Sequence, residues 1–193
     1  MDTTKNPKQS GSFGRALRGR LCGRFWRDRK GSTAIEFTAL AIPFSLLVFA
    51  ILESCISFAG QQVMANATDD IARQIRTGQL RPADLNEVKL KELICDRLNI
   101  VVSSDCPGLL VDLRQFTTFA DAAKLRIKLT ADKDIDTTGF DVKPGPSLSR
   151  NTLRVFYKWP VMTDFMRKSM SNLKDSKTLH FATATWQNEP FDD

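Results

Sequence analysis

The stretch Lys30-Gly31-Ser32-Thr33-Ala34-Ile35-Glu36-Phe37 decides the organisation of this chain, together with the apolar run from Thr38 to Leu52 that follows it. Basic residues lead up to the glycine, one carboxylate follows it, and no further charge appears before Glu53. A helix from Ile35 to Ser54 is long enough to cross a hydrocarbon core of roughly 30 Å. The sequence therefore predicts a membrane-spanning helix with an acid near its start.

Glu36 is an unusual residue for a simple membrane anchor. A charged side chain costs on the order of 3 kcal/mol at the centre of a membrane helix and somewhat less near the interface. We therefore expect a cation to meet this carboxylate.

Charge is distributed unevenly along the 193 residues, whose formal net charge is +6. The residues before Gly31 include nine basic and two acidic side chains, a net +7, which leaves −1 for the rest of the chain. The rest of the chain therefore has no basic excess for phosphates, and we expect no nucleic-acid partner. A basic flank beside an apolar run stays on the cytoplasmic side. Residues 1–31 are thus predicted to be a cytoplasmic leader, and the residues after the helix to be exported.

The helix is predicted to continue beyond the membrane. After Gly60 the apolar residues Val63, Ala67, Ile71 and Ile75 recur at helical spacing, which indicates an amphipathic segment. Gly78 supplies a stop signal. We predict one helix from about Ser32 to Arg76, with a transmembrane part at 32–60 and an amphipathic continuation at 61–77.

Two simpler interpretations compete with this one. A secretory signal peptide would explain the basic start and the small residues around Ala65, but the leader is long and that site lies far past the apolar run. A plain single-pass anchor explains everything except Gly31 and Glu36.

The amino-terminal motif resembles the leader site of type IV prepilins, which a membrane aspartic peptidase cuts after the glycine. More narrowly, it is similar to the TadE-like pseudopilins of the Tad (Flp) pilus assembly system. The residues that carry this resemblance are Arg27 to Phe37, Pro43-Phe44, Glu53, Gln61-Gln62-Val63 and Asn66-Ala67.

The resemblance implies that the bond between Gly31 and Ser32 is cut by a prepilin peptidase. Ser32 would then carry a free, charged α-amino group. In the pilin family the acid at the fifth mature position, here Glu36, is thought to meet the amine of a neighbouring subunit. Ion pairing of this kind is strong where water is excluded, since removing one partner costs several kcal/mol.

Residues 78–193 are predicted to form one exported domain. Leu85, Val88, Ile94 and Leu98 recur at helical spacing and indicate a second helix that ends near Leu98. Cys95 and Cys106 bracket a short loop on the side of the membrane where disulfides persist, so we expect a Cys95–Cys106 bridge. Cys22 and Cys55 are not natural partners for them. Two distant cysteines and His180 are too few for a metal site, and we expect neither a metal nor a cofactor.

Strand-like alternation appears in four later stretches, and an intervening polar loop covers 132–149. The predicted strands are 109–116, 125–129, 153–159 and 179–187, and Thr163 is predicted to cap a short helix from Asp164 to Met170. The overall prediction is an α+β fold in which a long pilin-like helix, transmembrane and then amphipathic, packs on a small domain with an antiparallel sheet.

The distal part also resembles the TadE family, in Tyr157-Lys158-Trp159-Pro160 and in Ala182 to Phe191, whereas the loop 131–150 matches nothing specific. For Tyr157, Trp159 and Trp186 we favour core packing over a ligand-stacking site.

The chain contains no phosphate loop, paired-histidine motif or nucleophile elbow. We therefore expect no enzyme, although a Ser/Lys hydrolase stays open. Asp69 and Asp70 are predicted to be solvated surface.

The resemblance implies a minor, pseudopilin component of the pilus assembly system, held in the inner membrane with its amino terminus in the cytoplasm and its exported domain in the periplasm. Its partners would be other Tad pilins or pseudopilins, the assembly platform, the prepilin peptidase and membrane lipid. The alternative is a membrane-anchored periplasmic sensor or binding domain.

Overall fold

A computed structural model describes residues 32–192, which divide into two compact units, 32–48 and 49–192. The leader and Gly31 lie outside the described residues. The helices are α1 (Ser32–Arg76), α2 (Glu87–Leu98), α3 (Phe119–Ala122) and α4 (Asp164–Met170), and the strands are β1 (Leu109–Phe116), β2 (Val142–Lys143), β3 (Arg150–Pro160) and β4 (Lys177–Gln187). Short 3₁₀ turns cover Pro82–Asp84 and Lys174–Ser176. The predicted α+β class is confirmed.

Helix α1 is a single element of 45 residues, and Pro43 does not end it. Beyond Arg76, Gly78 adopts a φ of +73°, and a Cβ there would lie 2.7 Å from the ring of Phe191. The Gly78 N–H bonds to the Ile75 carbonyl at 3.2 Å. The predicted glycine stop is confirmed, because both the backbone angle and the close aromatic ring require glycine.

Helix α2 begins later than the sequence pattern indicated. Asn86 is its amino-terminal cap and accepts a hydrogen bond from the Lys89 N–H. Leu90, Ile94 and Leu98 face the core, whereas Val88, one of the residues whose spacing predicted this helix, is 77 % exposed. The three buried residues are four positions apart and share one face, but Val88 lies six positions before Ile94, about 120° away around the helix.

The disulfide between Cys95 and Cys106 is present, with the two Cα atoms 5.8 Å apart. It ties the last turn of α2 to the residue three positions before β1. Closing so short a loop stabilises the fold by about 3 kcal/mol or less in the chain-entropy model.

The four strands form one sheet in the order β2-β1-β3-β4. The pairs β1/β3 and β3/β4 are antiparallel, but β1 and β2 are parallel, with Leu113 opposite Val142. The sheet is therefore mixed, and the prediction of an antiparallel sheet was wrong at this edge. Residues 117–141 connect β1 to β2, which is the length that a crossover between parallel strands needs.

The predicted strand at 125–129 does not form. This segment makes one isolated bridge, between Leu129 and Ile135, and Ile127 and Leu129 are exposed. The chain turns back on itself immediately, since Asp136 N–H bonds to the Lys128 carbonyl. The alternating apolar residues of this segment therefore belong to a local turn and not to a strand of the sheet.

Both faces of the sheet are covered. On one face, Leu153, Val155, Tyr157 and Trp159 of β3 pack with α1, as predicted, and also with α2. On the other face Phe156 is fully buried, with its ring centroid 5.3 Å from that of Phe140 and 5.1 Å from that of Phe181. The loop after residue 131 therefore closes a second, smaller core.

A buried ion pair lies on that second face. Asp112 on β1 is directly opposite Arg154 on β3, and the Arg154 Nη2 donates to Asp112 Oδ2 at 2.6 Å. Arg114 also donates to Asp112, and the Asp141 N–H donates to Asp112 Oδ1 at 3.0 Å. The carboxylate thus joins β1, β3 and the start of β2.

Candidate membrane helix and its attachment to the sheet

Within residues 32–192, one helix, α1, is long and apolar enough to cross a membrane, and its most apolar window has a mean hydropathy of 2.2. None of that window is buried within the protein. Its large apolar side chains are exposed at Ile35, Phe37, Leu40, Ile42, Phe44, Leu46, Leu47, Val48, Phe49, Ile51, Leu52, Ile56 and Phe58. Exposure on this scale is typical of a surface that faces lipid or another protein.

The predicted processing site, the bond between Gly31 and Ser32, lies at the start of this helix. Ser32 is the first residue of α1, and Gly31 lies outside the described residues. Glu36 is exposed in the second turn, and Thr38 nearby donates to the Ala34 carbonyl at 2.8 Å. A carboxylate in this position is presented on the apolar helix surface and can be reached by a neighbouring chain.

The carboxyl-terminal half of α1 packs on the sheet through one face. Ser57, Gly60, Met64 and Thr68 are buried at intervals of three or four residues. The predicted residues Ala67, Ile71 and Ile75 are also buried, whereas Val63 is half-buried. The predicted amphipathic continuation therefore exists, and its buried face begins at Ser57, before Gly60.

Gly60 is a point of close approach between α1 and β3. A Cβ at this position would lie 2.5 Å from Cζ3 of Trp159. The indole is buried and contacts Tyr157 edge to face at a centroid distance of 6.2 Å. Trp186 is also buried, with its N–H bonded to Asn188. The core interpretation of these aromatic residues is confirmed.

Gln61 attaches α1 to the edge strand β4. Its side-chain amide donates to the Phe181 carbonyl at 2.8 Å and accepts from the Phe181 N–H at 3.2 Å. The amide therefore imitates the neighbouring strand that an edge residue lacks. The resemblance had marked Gln61-Gln62-Val63 without assigning this contact.

His180 lies in the same interface. Its Nε2 is 3.0 Å from the Ser57 hydroxyl, and its ring stacks on Trp159 at a centroid distance of 4.9 Å. The side chain is buried, and burial lowers its pKa to about 4. The imidazole is therefore neutral at ordinary pH and acts as a packing residue, as expected for a lone strand histidine.

Because His180 has a lower pKa in the folded chain than the usual 6.5, its contribution to stability is complete above pH 6.5 and is lost as pH falls towards 4. The loss amounts to as much as about 3 kcal/mol. We expect His180→Gln to remove this part of the pH dependence in denaturant unfolding of the detergent-solubilised chain. Asp134, whose pKa Lys158 lowers to about 2, titrates below this window. Parallel pH profiles for the two proteins would contradict the prediction.

Glu53, whose role the sequence left open, joins α1 to the segment before α4. Its carboxylate accepts hydrogen bonds from the Met162 N–H at 2.5 Å, the Thr163 N–H at 3.3 Å and the Thr163 hydroxyl. Ser54 donates to the Met170 sulfur at 3.9 Å. Thr163 is the amino-terminal cap residue of α4, as predicted, but its hydroxyl bonds to Glu53 and makes no capping hydrogen bond within the helix.

Asp70 and Arg97 join α1 to α2. The Arg97 Nε donates to Asp70 Oδ2 at 3.0 Å, and hydrogen bonds from Arg73 and Arg97 lower the pKa of Asp70. Asp69 is exposed, as predicted, whereas Asp70 is half-buried at the surface, because its carboxylate also bonds to Arg97. The two adjacent carboxylates point in different directions, and only one of them reaches α2.

The stretch Asn188-Glu189-Pro190-Phe191 closes the end of α1. The Glu189 N–H bonds to the Arg76 carbonyl at 2.9 Å, and its carboxylate pairs with the Arg76 guanidinium at 3.3 Å. Asn188 donates to the carbonyls of Gly145 and Pro146. This distal motif therefore connects the end of α1 to the loop that precedes β3.

No group of three or more His, Cys, Asp or Glu side chains within residues 32–192 is arranged to hold a metal ion. Cys55 on α1 is exposed, with a free thiol. The geometry in this part of the chain instead consists of an exposed apolar helix surface followed by a firm attachment to a folded domain.

Comparison with known protein families matches residues 31–73 to the family described as TadE-like protein. The chain carries a TadE-like segment. The segment starts at Gly31 and ends within the last turn of α1, so it contains both the exposed apolar surface and most of the face that packs on the sheet. The predicted resemblance is confirmed for these residues, while the distal resemblance stays a prediction.

Comparisons with curated proteins and with solved structures give no match.

Proposed function

We propose that this chain is a pseudopilin component of Tad pilus assembly, cleaved after Gly31 by a prepilin peptidase and acting through its membrane helix. The observation that carries the proposal is the TadE-like segment 31–73, whose apolar side chains are exposed up to Phe58. A surface of this kind is matched to lipid and to the helices of other pilin-like subunits.

The basic leader supports an orientation with the amino terminus in the cytoplasm. The disulfide between Cys95 and Cys106 supports an oxidising location for the folded domain, which in this orientation is the periplasm. Helix α1 would hold the protein in the inner membrane.

The mechanism requires no catalysis by this chain. Helix α1 would pack against neighbouring pilin helices, with Glu36 meeting the α-amino group that cleavage creates at Ser32 of another subunit. The sheet, fixed to residues 57–76 of the same helix, would then be displayed outside the membrane, where it initiates or stabilises the fibre.

Processing provides the sharpest test. We expect mass analysis of the protein from its native host to find a mature chain that starts at Ser32. Gly31→Ala should abolish this form and leave the full-length chain, because the added Cβ obstructs close approach of the scissile backbone to the peptidase. Gly23→Ala, which changes a leader glycine outside the motif, should be processed normally.

An unmodified chain that keeps its Met1 terminus in the native host would contradict the proposal. That result would favour the alternative of a membrane-anchored periplasmic sensor or binding domain, which needs no cleavage. Normal surface fibres after deletion of the gene would favour the same alternative.

A further inference from the structure

We propose that residues 161–170, which include helix α4, form a second membrane contact that lies on the outer interface of the bilayer crossed by α1. The inference rests on the proposed membrane-spanning role of α1 and goes beyond it. It assigns a lipid-binding surface to a part of the chain outside the TadE-like segment.

Exposed apolar side chains first point to this segment. Met162 is 76 % exposed and Phe165 is 63 % exposed, three positions apart at the start of α4. Transfer of such exposed apolar side chains from water into an apolar medium is favourable in free energy.

The position of this segment along α1 indicates that the apolar medium is the lipid bilayer. Glu53 holds its beginning, through Met162 and Thr163, and Ser54 holds its end, through Met170. Glu53 is the first charged residue after the run that starts at Phe37. A helix that buries this run in hydrocarbon must bring its positions 53 and 54, and α4 with them, to the membrane–water boundary.

The exposed surface of α1 at this level is itself apolar. Leu52 and Ile56 flank the attachment point, and both are more than half exposed. The apolar side chains of α4 therefore lie at the same level along α1 as apolar side chains that face lipid in the proposed function.

The placement of the charges favours phospholipid over a protein partner. Arg167 and Lys168 occupy the last turn of α4, whereas Asp164 at its start pairs with Arg167, and Glu53, which also attracts Arg167, is bonded to Met162 and Thr163. Apolar side chains in the acyl boundary with basic side chains reaching the headgroup phosphates are the arrangement of helices that lie in a membrane interface.

The carboxylate of Glu53 acts as a positioning group in this arrangement. Because it accepts hydrogen bonds from two backbone N–H groups and one hydroxyl of the segment, it fixes where the chain turns from β3 into α4. The same bonds satisfy a charge that would otherwise be costly beside hydrocarbon.

The test uses the full chain in vesicles of phosphatidylethanolamine and phosphatidylglycerol that contain a lipid-attached quencher. In a Cys22→Ser, Cys55→Ser background, a fluorophore is placed at one of three exposed positions by Phe165→Cys, Phe44→Cys or Val88→Cys. Position 44 reports insertion of α1. Position 88 is the matched control, since Val88 is 77 % exposed on the first turn of α2, whose opposite end contacts α1 at Asp70, well beyond Glu53.

We expect quenching at 165 to exceed that at 88 by at least about twofold, as for a side chain at an interface compared with one in water. Strong quenching at 44 with equal, weak quenching at 165 and 88 would overturn the lipid contact and leave the membrane helix intact. Weak quenching at 44 would overturn both, whatever is seen at 165. A Glu53→Ala change should reduce quenching at 165 and not at 44, and an unchanged signal would overturn the positioning role of Glu53.

Discussion

Replacing Asp112 with alanine is expected to destabilise the folded chain by about 3–5 kcal/mol, the loss that accompanies removal of one partner from a buried ion pair. The Asp112 side chain is 1 % exposed, and that of Arg154 is 6 % exposed. Without the carboxylate, the guanidinium of Arg154 stays buried beside the rings of Phe140 and Phe156, 5.2 and 5.5 Å from their centroids, without its counter-ion. The Asp141 N–H loses its acceptor as well.

Denaturant unfolding of the solubilised chain measures this effect. The matched control is Asp121→Ala, which removes a surface ion pair with Lys124 and should change stability little. The double variant Asp112→Leu, Arg154→Met removes both charges of the pair and should recover much of the loss, since apolar replacement of a whole buried pair is often neutral. An Asp112→Ala change as mild as the control would contradict the assigned role.

This ion pair also shows why sequence patterns predicted one face of the sheet and not the other. Leu153, Val155, Tyr157 and Trp159 occupy alternate positions of β3, with Arg154 and Lys158 among the residues between them, so the face towards α1 could be predicted from β3 alone. The same alternation places Arg154 on the opposite face, where a charged residue is expected to be solvated. Its burial depends on Asp112, 42 positions earlier, and on the loop that carries Phe140, and no local pattern records such a pairing.

The helix was predicted more completely, because its causes are local. The charge gap, the periodicity up to Ile75 and the glycine at 78 all act within a few turns of the residues they order. The structure of residues 132–149 could not be predicted, because its causes are distant in sequence. Strand β2 pairs in parallel with β1 across a crossover, and Asn188, near the far end of the chain, donates a hydrogen bond to the carbonyl of Gly145 in this loop. The same holds for Glu53, whose partners Met162 and Thr163, just before α4, lie more than 100 positions away.

Removing the charge of Glu36 is expected to stop assembly of fibres while leaving the chain processed and folded. Glu36 is exposed on the most apolar part of α1, within the TadE-like segment. In the proposed function its carboxylate meets the α-amino group of Ser32 on a neighbouring subunit inside the membrane. An ion pair in a medium of low dielectric is worth far more than one at a wet surface, and loss of one partner costs several kcal/mol.

We therefore expect Glu36→Gln and Glu36→Ala to reduce surface fibres by about tenfold or more, since each 1.4 kcal/mol of lost pairing is a tenfold change in the association constant. Glu36→Asp keeps the charge on a shorter side chain and should retain part of the activity. Mass analysis must find the Ser32 terminus in every variant, which separates a packing defect from failed cleavage. Glu53→Gln tests the other acid of α1, whose bonds stay within the chain, and should affect the position of α4 more than assembly. Normal fibres from a correctly processed Glu36→Ala chain would show that amine pairing does not drive assembly, and that α1 serves this protein as an anchor alone.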